Sequence, residues 1–212
     1  AINIEESQNV IVTGSEISSS LPALYVDYLA VTTQFMGLDK VNPVRVMGSS
    51  NVNISRNNIN SKTNDYSQEY ATIQAIAVLE STDCLIDSNN ITLTDEFAQA
   101  GQDIYLYGIS FAYDEGLVMS NNNFTVYTDG GMENAGTAYA IQGIESGLSI
   151  IGNNITTFSN GPNLGIYVTS MGGETSTMII EKNFINVTGL ACSENNWALV
   201  SGIEIQNGEA KI

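Results

Sequence analysis

The phrase Ser88-Asn89-Asn90-Ile91-Thr92 returns along the chain as Arg56-Asn57-Asn58-Ile59, Asn121-Asn122-Asn123-Phe124, Gly152-Asn153-Asn154-Ile155 and Glu181-Lys182-Asn183-Phe184. The anchor asparagines Asn58, Asn90, Asn123, Asn154 and Asn183 stand 32, 33, 31 and 29 residues apart, and a fainter copy, Glu16-Ile17, precedes Asn58 by 42 residues. A fixed period of this length is the mark of a solenoid, in which each repeat buries its apolar face only against its neighbours. Around the anchor the apolar residues alternate. Val52 and Ile54, Cys84 and Ile86, Leu117 and Met119, and Leu148 and Ile150 precede it by six and four positions. A large apolar residue always follows: Ile17, Ile59, Ile91, Phe124, Ile155 or Phe184. Alternation of period two on both sides of Asn reads as strand, turn, strand.

A third strand lies about fourteen residues upstream, where Val44 and Val46 match Ile76 and Val78, Ile109 and Phe111, and Ile166 and Val168. Three short strands per repeat, without period-3.6 spacing, predict a parallel β-helix of about five to six coils of 29–42 residues. Stacked coils put equivalent residues in columns about 4.8 Å apart. The anchors Asn58, Asn90, Asn123, Asn154 and Asn183 are therefore expected to form one buried Asn ladder, each residue turning a corner in a left-handed or bridge conformation. On that reading Asn123→Ala is costly and Asn122→Ala mild.

Runs such as Gly152-Asn153-Asn154-Ile155-Thr156 and Asn121-Asn122-Asn123-Phe124-Thr125 resemble the right-handed parallel β-helix repeat. With the acidic, Asn-rich, Lys-poor composition, the chain is similar to the adhesin-like surface proteins of methanogenic archaea. The resemblance is clear from residue 44 onward and weaker before it. It implies an extracellular, modular, stalk-like protein that binds glycans or neighbouring cells. It also supports a right-handed helix, as does the crossover preference of parallel strands.

Charge narrows the partners. With 23 acidic and 6 basic residues the net charge is −17, and there is no histidine. Nucleic acid and anionic membranes need clustered Lys and Arg, so neither is an expected partner. A Ser-His-Asp triad, a histidine base and a His-ligated zinc are excluded. No apolar run reaches the roughly 18 residues of a membrane span, so direct membrane insertion is not expected.

Repeat length varies just after the strand that follows the anchor: at Ser18–Asn42, Ser61–Tyr70, Asp95–Asp103, Thr128–Gly136, Ser159–Asn163 and Gly189–Asn196. These segments are expected to stack as a ridge at one corner, the usual binding side of a solenoid. The ridge and its margins carry Tyr25, Tyr28, Phe35, Tyr66, Tyr70, Phe97, Tyr105, Tyr127 and Trp197. Of these, Tyr66, Tyr70, Phe97, Tyr105, Tyr127 and Trp197 are the candidate ligand-binding residues. The alternative is that the aromatics only cover the coil sides. Ser20–Leu29 reads as a short capped helix or an extended loop.

Acids in the loops (Asp95-Glu96 with Asp103, Asp114-Glu115, Asp129 with Glu133) offer oxygen ligands to calcium, although no EF-hand spacing accompanies them and solvated surface acids are preferred. No other cofactor is expected. Sequons begin at Asn53, Asn90, Asn123, Asn154 and Asn186; the ladder positions are expected to be buried, leaving Asn53 and Asn186 open to glycosylation. Cys84 and Cys192 are expected as free thiols, three coils apart.

Both ends of the chain fall within the repeat, so residues 1–212 read as one domain cut from a longer protein, with neighbouring repeats or protomers as partners. The expected function is a surface adhesin-like module binding glycans or other surface proteins. A structural spacer or a filament or sheath subunit is the alternative. A polysaccharide lyase or hydrolase, built on paired acids such as Asp87 with Glu80 or Asp83, is a third reading, without matching catalytic motifs.

Overall fold

The computed structural model describes residues 2–21, 43–63, 70–95, 103–128, 136–144, 147–170, 178–189, 200–207 and 210–212. Every element among them is a strand. β1 (Ile2–Glu5), β2 (Ile11–Thr13) and β3 (Glu16–Leu21) form the first coil, and β4 (Val44–Met47), β5 (Asn53–Ser55) and β6 (Asn58–Thr63) the second. The third contains β7 (Tyr70–Leu79), β8 (Leu85–Asp87) and β9 (Asn90–Asp95); the fourth β10 (Asp103–Ala112), β11 (Val118–Ser120) and β12 (Asn123–Thr128). The fifth contains β13 (Thr137–Ile144), β14 (Ser149–Ile151) and β15 (Asn154–Ser159); the sixth β16 (Asn163–Thr169), β17 (Met178–Glu181) and β18 (Phe184–Gly189). β19 (Val200–Gln206) and β20 (Ala210–Lys211) begin a seventh, slightly more than the expected five to six.

Corresponding strands of successive coils pair in parallel, giving three sheets of seven, seven and six strands. The fold is a parallel β-helix. Its core is layered as the alternation requires: Val44, Ile76, Ile109, Ile141 and Ile166 stack on the first sheet. Ile54, Ile86, Met119, Ile150 and Ile180 stack on the second, and Ile17, Ile59, Ile91, Phe124 and Ile155 on the third. At roughly 25 cal/mol per Å² of buried apolar surface, these columns are the main stabilising term.

Each coil turns its corners through a left-handed residue, and those residues also stack. Gly14, Arg56, Ser88, Asn121, Gly152 and Lys182, with φ between 53° and 68°, form the column just before the third sheet. The left-handed residue is thus the one before the buried asparagine, not an asparagine of the expected ladder. Register moves the ladder too. The buried column is Asn57, Asn89, Asn122, Asn153 and Asn183. Asn57 Oδ1 accepts from the backbone N–H of Ser15, and each later Oδ1 from the backbone N–H and the Nδ2 of the preceding coil's asparagine, as Asn122 does from Asn89 at 2.9 and 3.0 Å. Each Nδ2 also donates to a backbone carbonyl, Asn122 to Ile86 at 2.9 Å. Every polar group of the amide is occupied, so burial costs little.

Asn58, Asn90, Asn123 and Asn154 also stack, but outside, since the residue after an inward one points outward. Asn183 does not join them: Phe184 pairs with Asn154, takes the outer position and is 66% exposed. Ile185 therefore fills the inward place that Phe184 was expected to hold. The corner after the first sheet has a smaller ladder, in which Ser49 Oγ, Ser81 Oγ and Asp114 Oδ1 accept the backbone N–H groups of Ser7, Ser49 and Ser81 at 3.1, 3.2 and 2.8 Å.

Length variation falls between each third-sheet strand and the next coil's first-sheet strand, as the spacing implied, with one exception. The sixth coil is short there, between Ser159 and Asn163, and carries its extra residues between Thr169 and Met178 instead. Cys84 is buried on the second sheet, its thiol pushed up to about 11 by desolvation; Cys192 and the segment 22–42 lie outside the described residues. No helix among the described residues is long and apolar enough to cross a membrane.

Candidate ligand-binding face

The third sheet presents three outward columns, because residues at the first, third and fifth positions of its strands leave the core on the same side. The first is Glu16, Asn58, Asn90, Asn123, Asn154 and Phe184, its one charged member at the end of the column. The second is Asn60, Thr92, Thr125, Thr156 and Asn186, and the third Lys62, Thr94, Tyr127, Phe158 and Thr188. Columns lie about 6.8 Å apart along the strands and coils about 4.8 Å apart across them. Inward neighbours Ile91, Leu93, Phe124, Val126 and Ile155 are buried and hold this face rigid.

Two features distinguish the face. The outward side chains of β9, β12 and β15 are all uncharged, in a chain with 23 acids and 6 bases. And Tyr127, 38% exposed, stacks on Phe158 with ring centroids 4.9 Å apart and planes at 14°. Phe158 holds one face of the phenol ring. The other turns toward the coil of Thr94, the residue paired with Tyr127.

The exposed asparagines bond in sequence: Asn90 Nδ2 donates to Asn58 Oδ1 at 2.9 Å, Asn123 to Asn90 at 2.8 Å and Asn154 to Asn123 at 2.7 Å. The interior amides, Asn90 and Asn123, then each have one N–H and one carbonyl lone pair left for solvent or ligand. Three sequon asparagines expected to be buried, Asn90, Asn123 and Asn154, are thus exposed. Asn186 is exposed as expected, whereas Asn53 is half-buried, with a buried Oδ1 that has no hydrogen-bond partner.

A second aromatic group, unforeseen in the sequence, lies outside the first sheet. Tyr107 and Tyr139 are paired neighbours with centroids 5.7 Å apart, and Tyr139 meets Tyr167 at 5.8 Å. These rings are half-buried. Desolvation first, then Tyr167, Glu204 and Tyr105, pushes the Tyr139 phenol up to about 12; desolvation with Tyr139 and Tyr105 raises Tyr107 as well. The three rings pack against one another and cover this part of the sheet.

Of the residues expected to bind ligand, Tyr127 lies on the third-sheet face and Tyr105 on β10 beside the tyrosine group. Tyr70 opens β7. Tyr66, Phe97 and Trp197 fall outside the described residues, as do Tyr25, Tyr28 and Phe35. Phe158 was missed, although Tyr127 and Phe158 both stand four residues after their anchors, a spacing that places them in one outward column.

The acids are occupied elsewhere. Asp95 is buried and its Oδ2 accepts from Thr128 Oγ1 at 3.2 Å; Asp114 is buried in the corner ladder. Among the described residues no group of three or more Cys, Asp or Glu side chains is placed to hold a metal ion. Glu96, Asp129 and Glu133 of the expected calcium set lie outside them. Desolvation of Asp87 is outweighed by hydrogen bonds from Ser120, Asn121 and Ser88 and by the charge of Arg56, holding its carboxyl below the usual range.

Comparison of the chain with protein-family models, curated proteins and solved structures gave no match.

Proposed function

We propose that the chain is a non-catalytic, adhesin-like module of an extracellular or cell-surface protein, binding glycans through the outer face of the third sheet. One observation carries this reading: a strongly acidic chain presents, across three successive strands of one face, only uncharged outward side chains, furnished with amides, hydroxyls and a rigid aromatic pair. Sugar C–H groups pack on aromatic faces, and sugar hydroxyls exchange hydrogen bonds with amides. Neither needs a basic residue. The field of 17 net negative charges discourages nucleic acid and anionic membranes. No cofactor is required.

The competing location is the variable-segment ridge expected from the sequence, with Tyr66, Phe97 and Trp197. A glycan array with wild type and the Tyr127→Ala/Phe158→Ala double variant tests the proposal. Signals lost in a variant that melts like wild type support it. Signals unchanged in that variant move the site to the ridge. A wild type that binds no glycan favours the spacer reading.

A further inference from the structure

The two asparagine columns differ in what they do for the fold. Asn89, Asn122 and Asn153 hold backbone groups of the neighbouring coil, in the dry interior. Asn90, Asn123 and Asn154 hold only one another, in water, where a hydrogen bond adds little to stability. Many outward residues would satisfy the fold at those places. Asparagine is nevertheless repeated in four successive coils, and each amide is fixed in one orientation by the next.

Accepting that the third-sheet face binds glycans, we infer that the exposed Asn ladder is a ligand-binding rail for an uncharged polysaccharide lying across the strands. The rail spans the coils of Asn58 to Asn154, three steps of about 4.8 Å. Each step offers at least one amide N–H and one carbonyl lone pair, a donor and an acceptor for a sugar hydroxyl. Beside it runs the Thr92, Thr125 and Thr156 column of hydroxyls. Beyond that stands the part-exposed ring of Tyr127, fixed by Phe158, against which a sugar ring can pack while its hydroxyls reach the rail. Fixed amides pay little ordering entropy on binding.

Charge selects the class of polymer. An acidic polysaccharide would bring carboxylates to a protein of net charge −17, with only Lys62 on this face to receive them. A cationic polymer would find no acid among the outward side chains of β9, β12 and β15. An uncharged chain sacrifices no ionic hydration on such a surface.

The experiment is retention of purified protein on insoluble cellulose and chitin, and on immobilised alginate and polygalacturonate, for wild type, Asn123→Asp, Thr125→Asp and Tyr127→Ala. Wild type should be retained on at least one neutral polymer and pass freely over the acidic ones. Asn123→Asp and Thr125→Asp should each weaken retention about tenfold, the loss of one hydrogen-bonding pair, with an unchanged melting midpoint. Stronger retention on acidic polymers overturns the uncharged class and leaves glycan binding standing. Neutral retention lost in Tyr127→Ala but unchanged in both aspartate variants overturns the rail alone. No retention of wild type on any of the four overturns both.

Discussion

Asn122 and Asn123 are consecutive residues that belong to ladders of opposite sense. Asn122 donates forward to Asn153 Oδ1 at 3.0 Å, whereas Asn123 donates backward to Asn90 Oδ1 at 2.8 Å. The opposed amide rows limit any net dipole along the solenoid. They also differ in burial: Asn122 is 1% exposed and Asn123 is in solvent. Asn122→Ala leaves the buried backbone N–H of Asn89 without its acceptor, removes one acceptor from Asn89 Nδ2, and should cost about 2–4 kcal/mol. Asn123→Ala loses solvated hydrogen bonds and should cost less than about 1 kcal/mol. Denaturant titration of the two variants measures the difference; equal midpoints would contradict this division of roles.

Lys182 and Gly152 occupy the same corner column, with φ of 59° and 68°. An L side chain there carries strain of roughly 1–2 kcal/mol that glycine escapes, less its greater freedom in the unfolded chain. Lys182→Gly should therefore raise stability by about 0.5–1 kcal/mol, and Gly152→Ala should lower it by a similar amount. Opposite shifts in thermal midpoint are the expected result. A loss in both would show that the lysine side chain contributes more than its backbone strain.

The repeat made the class of fold legible because a period of 29–33 residues with two-residue alternation admits few structures. Strand pairing followed the aligned apolar residues, as Val44 with Ile76 and Ile109 with Ile141. Which of two adjacent asparagines is buried was not legible from apolar spacing alone. The tight corner shifts the inward phase by one residue, so the Asn57 column and the residues at 59 and 91 both face in. The sixth coil exposed the error, since Glu181-Lys182-Asn183-Phe184 has one asparagine and the structure spends it inside. The first-sheet tyrosines were hidden for a related reason. Ala140 and Ile141 are both buried, which interrupts the alternation and sends Tyr139 and Gln142 outward, three residues apart.

Asp87 gives stability a defined acid limb. Ser120 Oγ and Asn121 Nδ2 donate to its Oδ1 at 2.6 and 2.9 Å, and Ser88 Oγ donates to Oδ2 at 2.8 Å, tying corner residues of two successive coils to one carboxylate. These bonds outweigh desolvation and lower the folded-state pKa below 3.8. A depressed carboxyl contributes stability above its unfolded pKa, about 3.9, and loses it as pH falls through the folded value. Unfolding free energy should thus fall as pH drops below about 4, and Asp87→Asn should flatten part of that slope. Identical acid limbs in the two proteins would assign the slope to other carboxylates.

Gly108 links the core to the proposed binding face. It lies on β10 between the inward Leu106 and Ile109, where the first sheet bends, in a column of small residues with Ala75 and Ala140. A Cβ at this place would run into the Ala140 carbonyl oxygen and stand 2.9 Å from Cδ1 of Phe124. Neither can retreat easily, because the carbonyl belongs to a paired strand and the ring is fully buried. Gly108→Ala should cost about 1–3 kcal/mol from overpacking, read as a lower denaturation midpoint. Phe124 shares β12 with Asn123 and Tyr127, so pushing its ring outward also moves the strand that carries the rail and the Tyr127 ring. Glycan retention should then weaken in Gly108→Ala at temperatures where the protein remains folded. Retention equal to wild type, together with a lowered midpoint, would mean that the strain is absorbed on the first sheet without reaching β12.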